Sequence, residues 1–406
     1  MRVTRLAAAL AAAVFAPGLS ISASAHDGQA FTVNCSRGQT IAQALELGDA
    51  RKPLVLIIRG MCKENVVVAR DRVTLRGDPP RVATVQAVNP KAHAIEVRAT
   101  WVSINGLTVT GGLNGIMATG VSALSVTNSV IQNAVQSGVI LGAGFGWLEG
   151  NTIQNNGSNG LTLSAAQAYV ANSEITTNVG SGIRLNNNST LVVSGTSISA
   201  NGGSGLYLDG KSAIQATDNT ISSNGASGIS IYSGSYGRLQ DNNTINANGT
   251  NAALSRNGVD LNQSSAEIWG GSISNHAAPG VAAALSSVQI AGTAITGNGG
   301  GVLGYLASTV TISDATITSN AGAGVGLDTN STAQIASSTI NNNGDHGIRL
   351  LFGSRLKMVT PATLVGANSG YGLWCGDAES SVFGTNLLNF SPPNAAGGVA
   401  PSCTGF

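Results

Sequence analysis

An asparagine recurs along most of this chain, at regular intervals of roughly 22 to 23 residues. A period of this length shows that one short unit is repeated many times, which is typical of a solenoid. The asparagine column comprises Asn133, Asn155, Asn178, Asn201, Asn224, Asn248, Asn275, Asn298, Asn320, Asn343 and Asn368.

Each repeated unit predicts three short strands. A glycine followed by an aliphatic residue, as in Gly182-Ile183, begins the unit, a second alternating segment such as Leu191–Val193 follows, and an isoleucine such as Ile198 marks the third. Helical repeats are usually longer and rich in Ala, Leu, Glu and Lys, whereas this chain is rich in Gly, Asn, Ser and Thr. We therefore predict an all-β solenoid, in which roughly twelve coils spaced about 4.8 Å apart make a rod about 60 Å long.

The asparagine column has a physical explanation. A side-chain amide at the same turn of every coil can hydrogen-bond to its copies above and below. Asparagine also tolerates the left-handed backbone that a sharp turn needs. We expect the residues of this column to do both.

With these columns, the chain resembles the right-handed parallel β-helix repeat proteins of the pectate-lyase-like superfamily over roughly residues 54–390. The resemblance implies a single-stranded right-handed parallel β-helix with interior aliphatic stacks and an asparagine ladder at one turn. It implies no single activity, because these repeats occur in lyases, hydrolases, epimerases, phage tailspikes and proteins with no demonstrated catalysis. Function has to be argued from sites.

The segment from Met1 to Ala25 has the pattern of a secretory signal peptide: two early arginines, an apolar run over Leu6–Leu19, and Ala23-Ser24-Ala25 before His26. No later stretch approaches the roughly 18 unbroken apolar residues of a membrane-spanning helix. No cysteine stands at the cleavage site. We therefore expect neither a membrane span nor a lipid anchor, and the expected product is periplasmic or extracellular.

The four cysteines lie near the two ends of the mature chain, as Cys35 and Cys62, and as Cys375 and Cys403. Pairing within each end is the simplest connectivity in an oxidising compartment. A zinc site is the competing hypothesis, but the spacing lacks Cys-x-x-Cys and no histidine accompanies the cysteines.

We predict an N-terminal cap over residues 26–53, a β-helix over residues 54–390 and a C-terminal tail over residues 391–406. Within the cap, Thr40–Gly48 has the pattern of a short amphipathic helix that covers exposed strand edges. From His26 to Thr100 the chain carries 11 basic and 7 acidic residues, whereas the rest of it is nearly uncharged. These charges alternate in a chain of net charge +1, which argues against nucleic acid as a partner.

The outward side chains of the Gly-aliphatic strands follow from strand alternation, and superfamily enzymes commonly hold their substrates on this surface. Two rows lie two residues apart along these strands, and together they place six polar or aromatic residues in four consecutive coils. The predicted substrate-binding residues are Arg184, Asn186, Tyr207, Asp209, Tyr232 and Asp260.

These residues suit a sugar, because tyrosine rings match its apolar CH faces, and amides, carboxylates and a guanidinium match its hydroxyls. A scatter of residues that keep a rod soluble is the alternative. The interval from Asn248 to Asn275 is the longest between neighbouring members of the asparagine column, and the insertion would form a groove wall beside them.

Arg184, Asp209 and Asp260 are the candidates for catalysis, although no catalytic residue can be assigned. Hydrolysis needs two carboxyl groups about 5 to 9.5 Å apart, and strand geometry separates Asp209 from Asp260 by roughly 11 to 12 Å. A lyase needs a base and a cation or metal. The resemblance implies Ca²⁺ and an arginine base for a lyase, but no acid cluster surrounds Arg184.

A second constellation, Asp345-His346-Gly347-Ile348-Arg349, resembles in part the Gly-His-Gly and Arg-x-Lys elements of pectin-cleaving hydrolases in this superfamily. The family's Asn-x-Asp and Asp-Asp elements have no match nearby, and His346 falls at an ordinary turn position. We expect a structural turn here, with Asp328 close enough to Arg349 for an exposed ion pair.

Three function classes remain open. The first is a secreted β-helix that binds polysaccharide or a cell-envelope glycan without chemistry, and the second is a polysaccharide lyase, an epimerase or a glycoside hydrolase. The third is an envelope or surface scaffold. We expect a monomer without a bound metal or other cofactor, except Ca²⁺ in the lyase case.

Overall fold

The computed structural model describes residues 28–403, apart from the side chains of Val121, Ser122 and Thr385. The predicted signal peptide, residues 1–25, lies outside the described residues. The described chain forms a right-handed parallel β-helix, as predicted, but with about 16 turns instead of twelve. The prediction was too low because the first turns, whose stacked strands begin at Gln29–Asn34, lack the asparagine column that was used to count turns.

Each turn contributes three strands in sequence order. Where the first strand of a turn is separate from the second, it is Val66–Val68, Ile95–Val97, Ile183–Asn186, Leu206–Leu208, Ile229–Tyr232, Val259–Asn262, Pro279–Ala284, Gly300–Tyr305, Val325–Leu327, Ile348–Leu350, Tyr371–Cys375 or Gly397–Val399. The separate second strands are Gln29–Asn34, Leu54–Arg59, Val73–Gly77, Val102–Asn105, Thr190–Ser194, Ala213–Thr217, Tyr236–Gln240, Ser265–Trp269, Ser287–Ala291, Thr309–Ser313, Thr332–Ala336, Arg355–Met358 and Ser381–Phe383. In three turns the first and second strands are continuous and form one long strand, namely Ile116–Thr127, Val139–Glu149 and Leu161–Ala171.

Third strands form a separate sheet of 15 strands. They are Met61–Lys63, Thr84–Gln86, Thr108–Thr110, Val130–Gln132, Thr152–Gln154, Glu174–Thr176, Ser197–Ser199, Thr220–Ser222, Thr244–Asn246, Ser272–Ser274, Ala294–Thr296, Thr316–Thr318, Thr339–Asn341, Thr363–Gly366 and Leu388–Asn389. One α-helix, Ile41–Leu45, and two 3₁₀ helices, Cys35–Arg37 and Thr385–Leu387, complete the described elements.

Successive turns stack in parallel and in register. Ile183 lies opposite Leu206, Leu206 opposite Ile229, and Ile229 opposite Val259, and all four side chains are fully buried. A strand of three or four residues cannot bury a face alone, but these stacks form one continuous aliphatic core along the axis. The strict register fixes which side chains point outward on every turn.

The asparagine ladder is present. The two properties expected of one residue, the amide hydrogen bond and the left-handed backbone, belong to two adjacent positions. The Asn201 amide nitrogen donates to Asn224 Oδ1 at 3.0 Å, and the Asn224 amide nitrogen donates to Asn248 Oδ1 at 2.8 Å. The left-handed backbone instead occurs one residue earlier, at Ala200 and Ser223. One residue makes the turn, and the next supplies the buried amide.

This split corrects three members of the predicted column. Asn133, Asn155 and Asn275 have positive φ values, so they are turn residues. Asn156 and His276 occupy the neighbouring buried positions that belong to the ladder. Sequence spacing could not separate adjacent columns where both carry polar residues.

The other two corners of each turn also carry buried polar columns, which the sequence analysis missed. At the corner between first and second strands, the Ser189 backbone N–H donates to Ser212 Oγ at 3.3 Å. At the corner between second and third strands, the Thr196 backbone N–H donates to Asn219 Oδ1 at 3.0 Å. Backbone groups that turn inward at a corner need such partners, because an unpaired buried N–H is costly.

The N-terminal helix is held against the first turns. Its Ile41 and Ala42 backbone N–H groups donate to the two carboxylate oxygens of Glu64, at 2.7 and 3.1 Å. Ile41, Ala44 and Leu45 are buried, as predicted. Among the described residues, no helix is long and apolar enough to cross a membrane.

Both predicted disulfides are present, joining Cys35 to Cys62 and Cys375 to Cys403. Within residues 28–403, the sulfurs of the first bridge and Glu64 are also the one grouping of three metal-ligating side chains. The sulfurs are bonded to each other and Glu64 binds the helix, so the residues present do not fit the zinc hypothesis.

Asn224→Ala tests the ladder. The substitution removes the acceptor of the Asn201 backbone and side-chain N–H groups and the donor to the Ile198 carbonyl. We expect it to lower the free energy of unfolding by about 1 to 3 kcal/mol, the usual cost of unpaired buried polar groups. Urea denaturation measures the change. Gln289→Ala, which truncates an exposed amide, should change little, and equal effects of the two substitutions would contradict the ladder's role.

His276 gives the ladder a pH dependence. Its Nδ1 donates to Asn298 Oδ1 at 2.8 Å and its Nε2 accepts from the Asn248 amide at 3.2 Å, so the ring is neutral. Burial lowers the His276 pKa, although the bond to Asn298 opposes this. The unfolded chain therefore binds more protons below a pH of about 6.5, and stability must fall as the pH drops through this value.

His276→Asn should reduce that loss while retaining a ladder amide. Thermal melting at pH 7.5 and pH 5 compares the variant with the unmodified chain. A residual loss is expected, because burial also lowers the His346 pKa. An unchanged pH dependence in His276→Asn would show that His276 does not cause it.

Candidate functional site

The outward side chains of the first strands form one continuous surface, which we call the front face. Its first predicted row is in register, with Arg184 opposite Tyr207, Tyr207 opposite Ser230, and Ser230 opposite Asp260. The second row places Tyr232 opposite Asn262. The strand alternation used to select these residues is thus the alternation of the structure.

Three of the predicted residues form a chain of ring contacts on the front face. The Arg184 guanidinium lies 4.9 Å from the centre of the Tyr207 ring. The Tyr207 and Tyr232 rings meet edge to face, with centroids 5.6 Å apart and an interplanar angle of 89°. Such contacts contribute roughly 0.5 to 1.5 kcal/mol each and hold the rings in place. We call this group of three side chains the tyrosine platform.

Asp260 lies on the turn after Tyr232 and is 8% exposed. Its Oδ2 accepts hydrogen bonds from the Tyr232 hydroxyl at 2.6 Å and from the Ser255 hydroxyl at 2.7 Å. Burial and the Asp260 charge raise the pKa of Tyr232, so its hydroxyl remains a donor. Burial, together with the charge of Asp260, also raises the Tyr305 pKa.

The insertion predicted from the long interval packs onto this site. Its Ser255 provides one of the two bonds to Asp260, and the Asn251 backbone N–H donates to the Gly225 carbonyl at 2.9 Å. The inserted segment therefore covers Asp260 instead of leaving it open to solvent. Asp260 joins the insertion to the front face. The sequence did not predict this contact, because nothing in the repeat pattern marks Ser255.

Asp209 and Asn186 lie beside the ring contacts. Asp209 is partly exposed, and its Oδ1 accepts from the Gly210 backbone N–H at 2.7 Å. The Asn186 Oδ1 is buried and has no hydrogen-bond partner among the described residues. A buried acceptor without a donor is costly.

The acidic groups of this cluster differ in their hydrogen bonds and surroundings. Asp260 is already engaged by two hydroxyl donors. Burial, more than the nearby Asp209, raises the Tyr207 pKa, so this phenol is also a donor. Within residues 28–403, no three carboxylates on the front face gather closely enough to hold one ion, so the residues present do not fit Ca²⁺.

The constellation around His346 forms a second cluster on the front face. His346 Nδ1 accepts from the Tyr371 backbone N–H at 2.9 Å, and its ring stacks on Trp374 with centroids 5.0 Å apart. Arg349 lies 3.6 Å from Asp345, so its acidic neighbour is not the predicted Asp328. His346 thus has the structural contacts expected of a turn, but Trp374 was not anticipated.

A third group of aromatic residues lies on the outward surface of the second strands, which we call the side face. Trp147 and Tyr169 stack with centroids 4.3 Å apart, and the Arg238 guanidinium lies 4.7 Å from the Trp269 ring. Trp147 and Tyr169 are one repeat apart in the sequence, and this spacing could have revealed the first pair.

Comparison with known proteins identifies the repeat. A family described as right handed beta helix region matches residues 114–260 and 241–388. A stretch of 85 residues is 33% identical to a cell surface glycoprotein of Methanothermus fervidus. That match covers 21% of this chain and 14% of the glycoprotein, so the chain spans a small part of this relative.

Several solved structures share the general architecture at low sequence identity. The A-module of the mannuronan C-5 epimerase AlgE6 of Azotobacter vinelandii is 14% identical, with a TM-score of 0.42 over 89% of this chain and 92% of the module. The catalytic domain of a GH87 alpha-1,3-glucanase is 13% identical, with a TM-score of 0.48 over 89% of this chain and 68% of that domain. No functional statement about this chain follows from similarity at this level.

Tyr232→Phe tests the coupling between the platform and Asp260. Losing a hydrogen bond to a charged group should lower the free energy of unfolding by about 1.5 to 3 kcal/mol. Tyr207→Phe is the matched control, because the Tyr207 hydroxyl has no hydrogen-bond partner among the described residues. Chemical denaturation of both variants provides the measurement, and an equal response would refute the coupling.

Proposed function

The chain belongs to the right-handed beta helix family, and we propose that it is a secreted protein that binds polysaccharide on its front face. The proposed binding residues are Arg184, Asn186, Tyr207, Asp209 and Tyr232. Asp260 holds the platform through its hydrogen bond with Tyr232. The observation that carries the proposal is the platform itself, in which a guanidinium and two tyrosine rings are fixed on consecutive turns.

A sugar matches this platform in two ways. Its apolar CH faces can pack on the exposed parts of the tyrosine rings, as amphipathic aromatic side chains do at interfaces. Its hydroxyl groups can donate to the partly exposed Asp209 carboxylate and accept from Arg184. The polymer would run along the axis, because the front face repeats at every turn with the same spacing.

A catalytic role is the less favoured alternative. Lyase or epimerase chemistry would require Arg184 or Asp209 to act on a proton beside a sugar carboxylate, and hydrolysis would require a second free carboxyl group. The hydrogen bonds on Asp260 favour a supporting role for it.

A location outside the cytoplasm agrees with the rest of the chain. The predicted signal peptide directs export, and two disulfides are stable in an oxidising compartment. The similarity of one stretch to a cell surface glycoprotein supports a second candidate function, a scaffold at the cell surface. Polysaccharide binding and such a location are compatible.

A panel of acidic and neutral polysaccharides tests the proposal. The mature chain should be retained by at least one polymer, without new unsaturated sugar ends detectable by ultraviolet absorbance. Tyr207→Ala should weaken this binding at least about fivefold, since truncating an aromatic anchor commonly costs more than about 1 kcal/mol. Tyr169→Ala, which truncates an aromatic residue on the side face, should bind like the unmodified chain.

Two outcomes would contradict the proposal. Absence of retention on every polymer would leave the scaffold as the better hypothesis. Polymer breakdown that depends on Arg184 or Asp209 would make the chain an enzyme.

A further inference from the structure

The front face contains a cleft several turns beyond the tyrosine platform. The outward row continues from Asp260 through Ala282, Leu303, Gly326 and Arg349. Around Gly326 the surface opens into a cleft of about 260 Å³. Glycines from two consecutive turns line it, with Asp345 and Arg349 as its charged groups.

Gly326 lines the cleft and has no side chain to fill it. Gly326 sits between the inward-facing Val325 and Leu327, in a strand without a positive φ. A Cβ atom here would meet Leu303 Cδ1 at 3.2 Å and the Val302 carbonyl oxygen at 4.0 Å. The backbone therefore does not require glycine, and a side chain at this position would occupy the open space.

The charged groups of the cleft retain unused hydrogen-bonding capacity. The Arg349 side chain is 37% exposed and the Asp345 side chain 36% exposed. Arg349 Nη1 lies 3.6 Å from Asp345 Oδ2, which is too long for a good hydrogen bond. The guanidinium can therefore donate, and the carboxylate can accept, toward a third group.

A stacked aromatic pair lies next to Arg349. Trp374 is opposite Arg349 in the next strand, and its ring stacks on His346 at an interplanar angle of 5°. The bond from the Tyr371 backbone N–H fixes the orientation of His346. The pair lies outside the lining of the cleft, with Trp374 bordering Arg349 from the following turn and His346 next to Asp345.

We propose that this cleft is a second sugar subsite, which holds a residue of the polysaccharide bound at the tyrosine platform. Asp345 accepts from sugar hydroxyls and Arg349 donates to them. The paired charges favour neutral hydroxyl groups over a carboxylate. This inference rests on the proposed function and adds a second point of attachment to it.

The spacing of the two subsites predicts a dependence on ligand length. Tyr232 is on the turn before Asp260, so four strand spacings, about 19 Å along the axis, separate Tyr232 in the platform from Gly326 in the cleft. A polymer that reaches both subsites binds more tightly than a fragment that reaches one, because the second contact is intramolecular.

Gly326→Leu fills the cleft without changing its charge, and Gly326→Ala is the matched control. Calorimetric titration of the mature chain, with the best polymer from the panel and with fragments too short to span the two subsites, measures both attachments. We expect Gly326→Leu to weaken polymer binding at least about tenfold. Fragment binding at the tyrosine platform should be unchanged, and polymer binding by Gly326→Ala should fall between that of Gly326→Leu and that of the unmodified chain.

Asp345→Asn keeps the size of the side chain and serves as the second variant if Gly326→Leu does not fold. It should also weaken polymer binding and spare the platform. Normal polymer binding in a folded Gly326→Leu or Asp345→Asn protein would refute the second subsite while leaving the platform intact. If the unmodified chain binds no polymer, the proposed function is refuted, and the second subsite with it.

Discussion

Hydrogen bonding between the corners of successive turns is the interaction on which this molecule depends. Strands of three to five residues have little stability alone, and each corner turns backbone N–H groups inward. Buried side chains satisfy those groups in three columns, as Asn224, Ser212 and Asn219 illustrate. Each of these side chains accepts from the turn before it, so the chain can stack in one register only.

That register turns positions distant in the sequence into neighbours on the surface. Arg184 and Tyr207 are one full repeat apart in the chain and adjacent on the front face. The tyrosine platform and the cleft beside Arg349 are both consequences of side chains that stand out from the same row of strands. Function can thus vary on the outside while the polar columns and aliphatic core hold the backbone fixed.

The repeat explains how much was predictable from the sequence. Periodicity alone predicted the three-strand turn, the aliphatic stacks and the outward row from Arg184 to Asp260, because these depend on spacing. It failed where the chain departs from the repeat. The early turns without the asparagine column were not counted, and His276 was not recognised as a ladder member because it is not an asparagine.

Contacts made by irregular segments were also beyond prediction. Ser255 binds Asp260 from within the insertion, and Trp374 stacks on His346 from the following turn. Neither contact follows from strand alternation, since Ser255 lies in the insertion and His346 lies at the corner before its strand. The most direct test is a crystal structure of the mature chain with a bound oligosaccharide. We expect the sugar to lie against Tyr207 and Tyr232 on the front face. A sugar bound only on the side face or at a corner would contradict the proposed binding site.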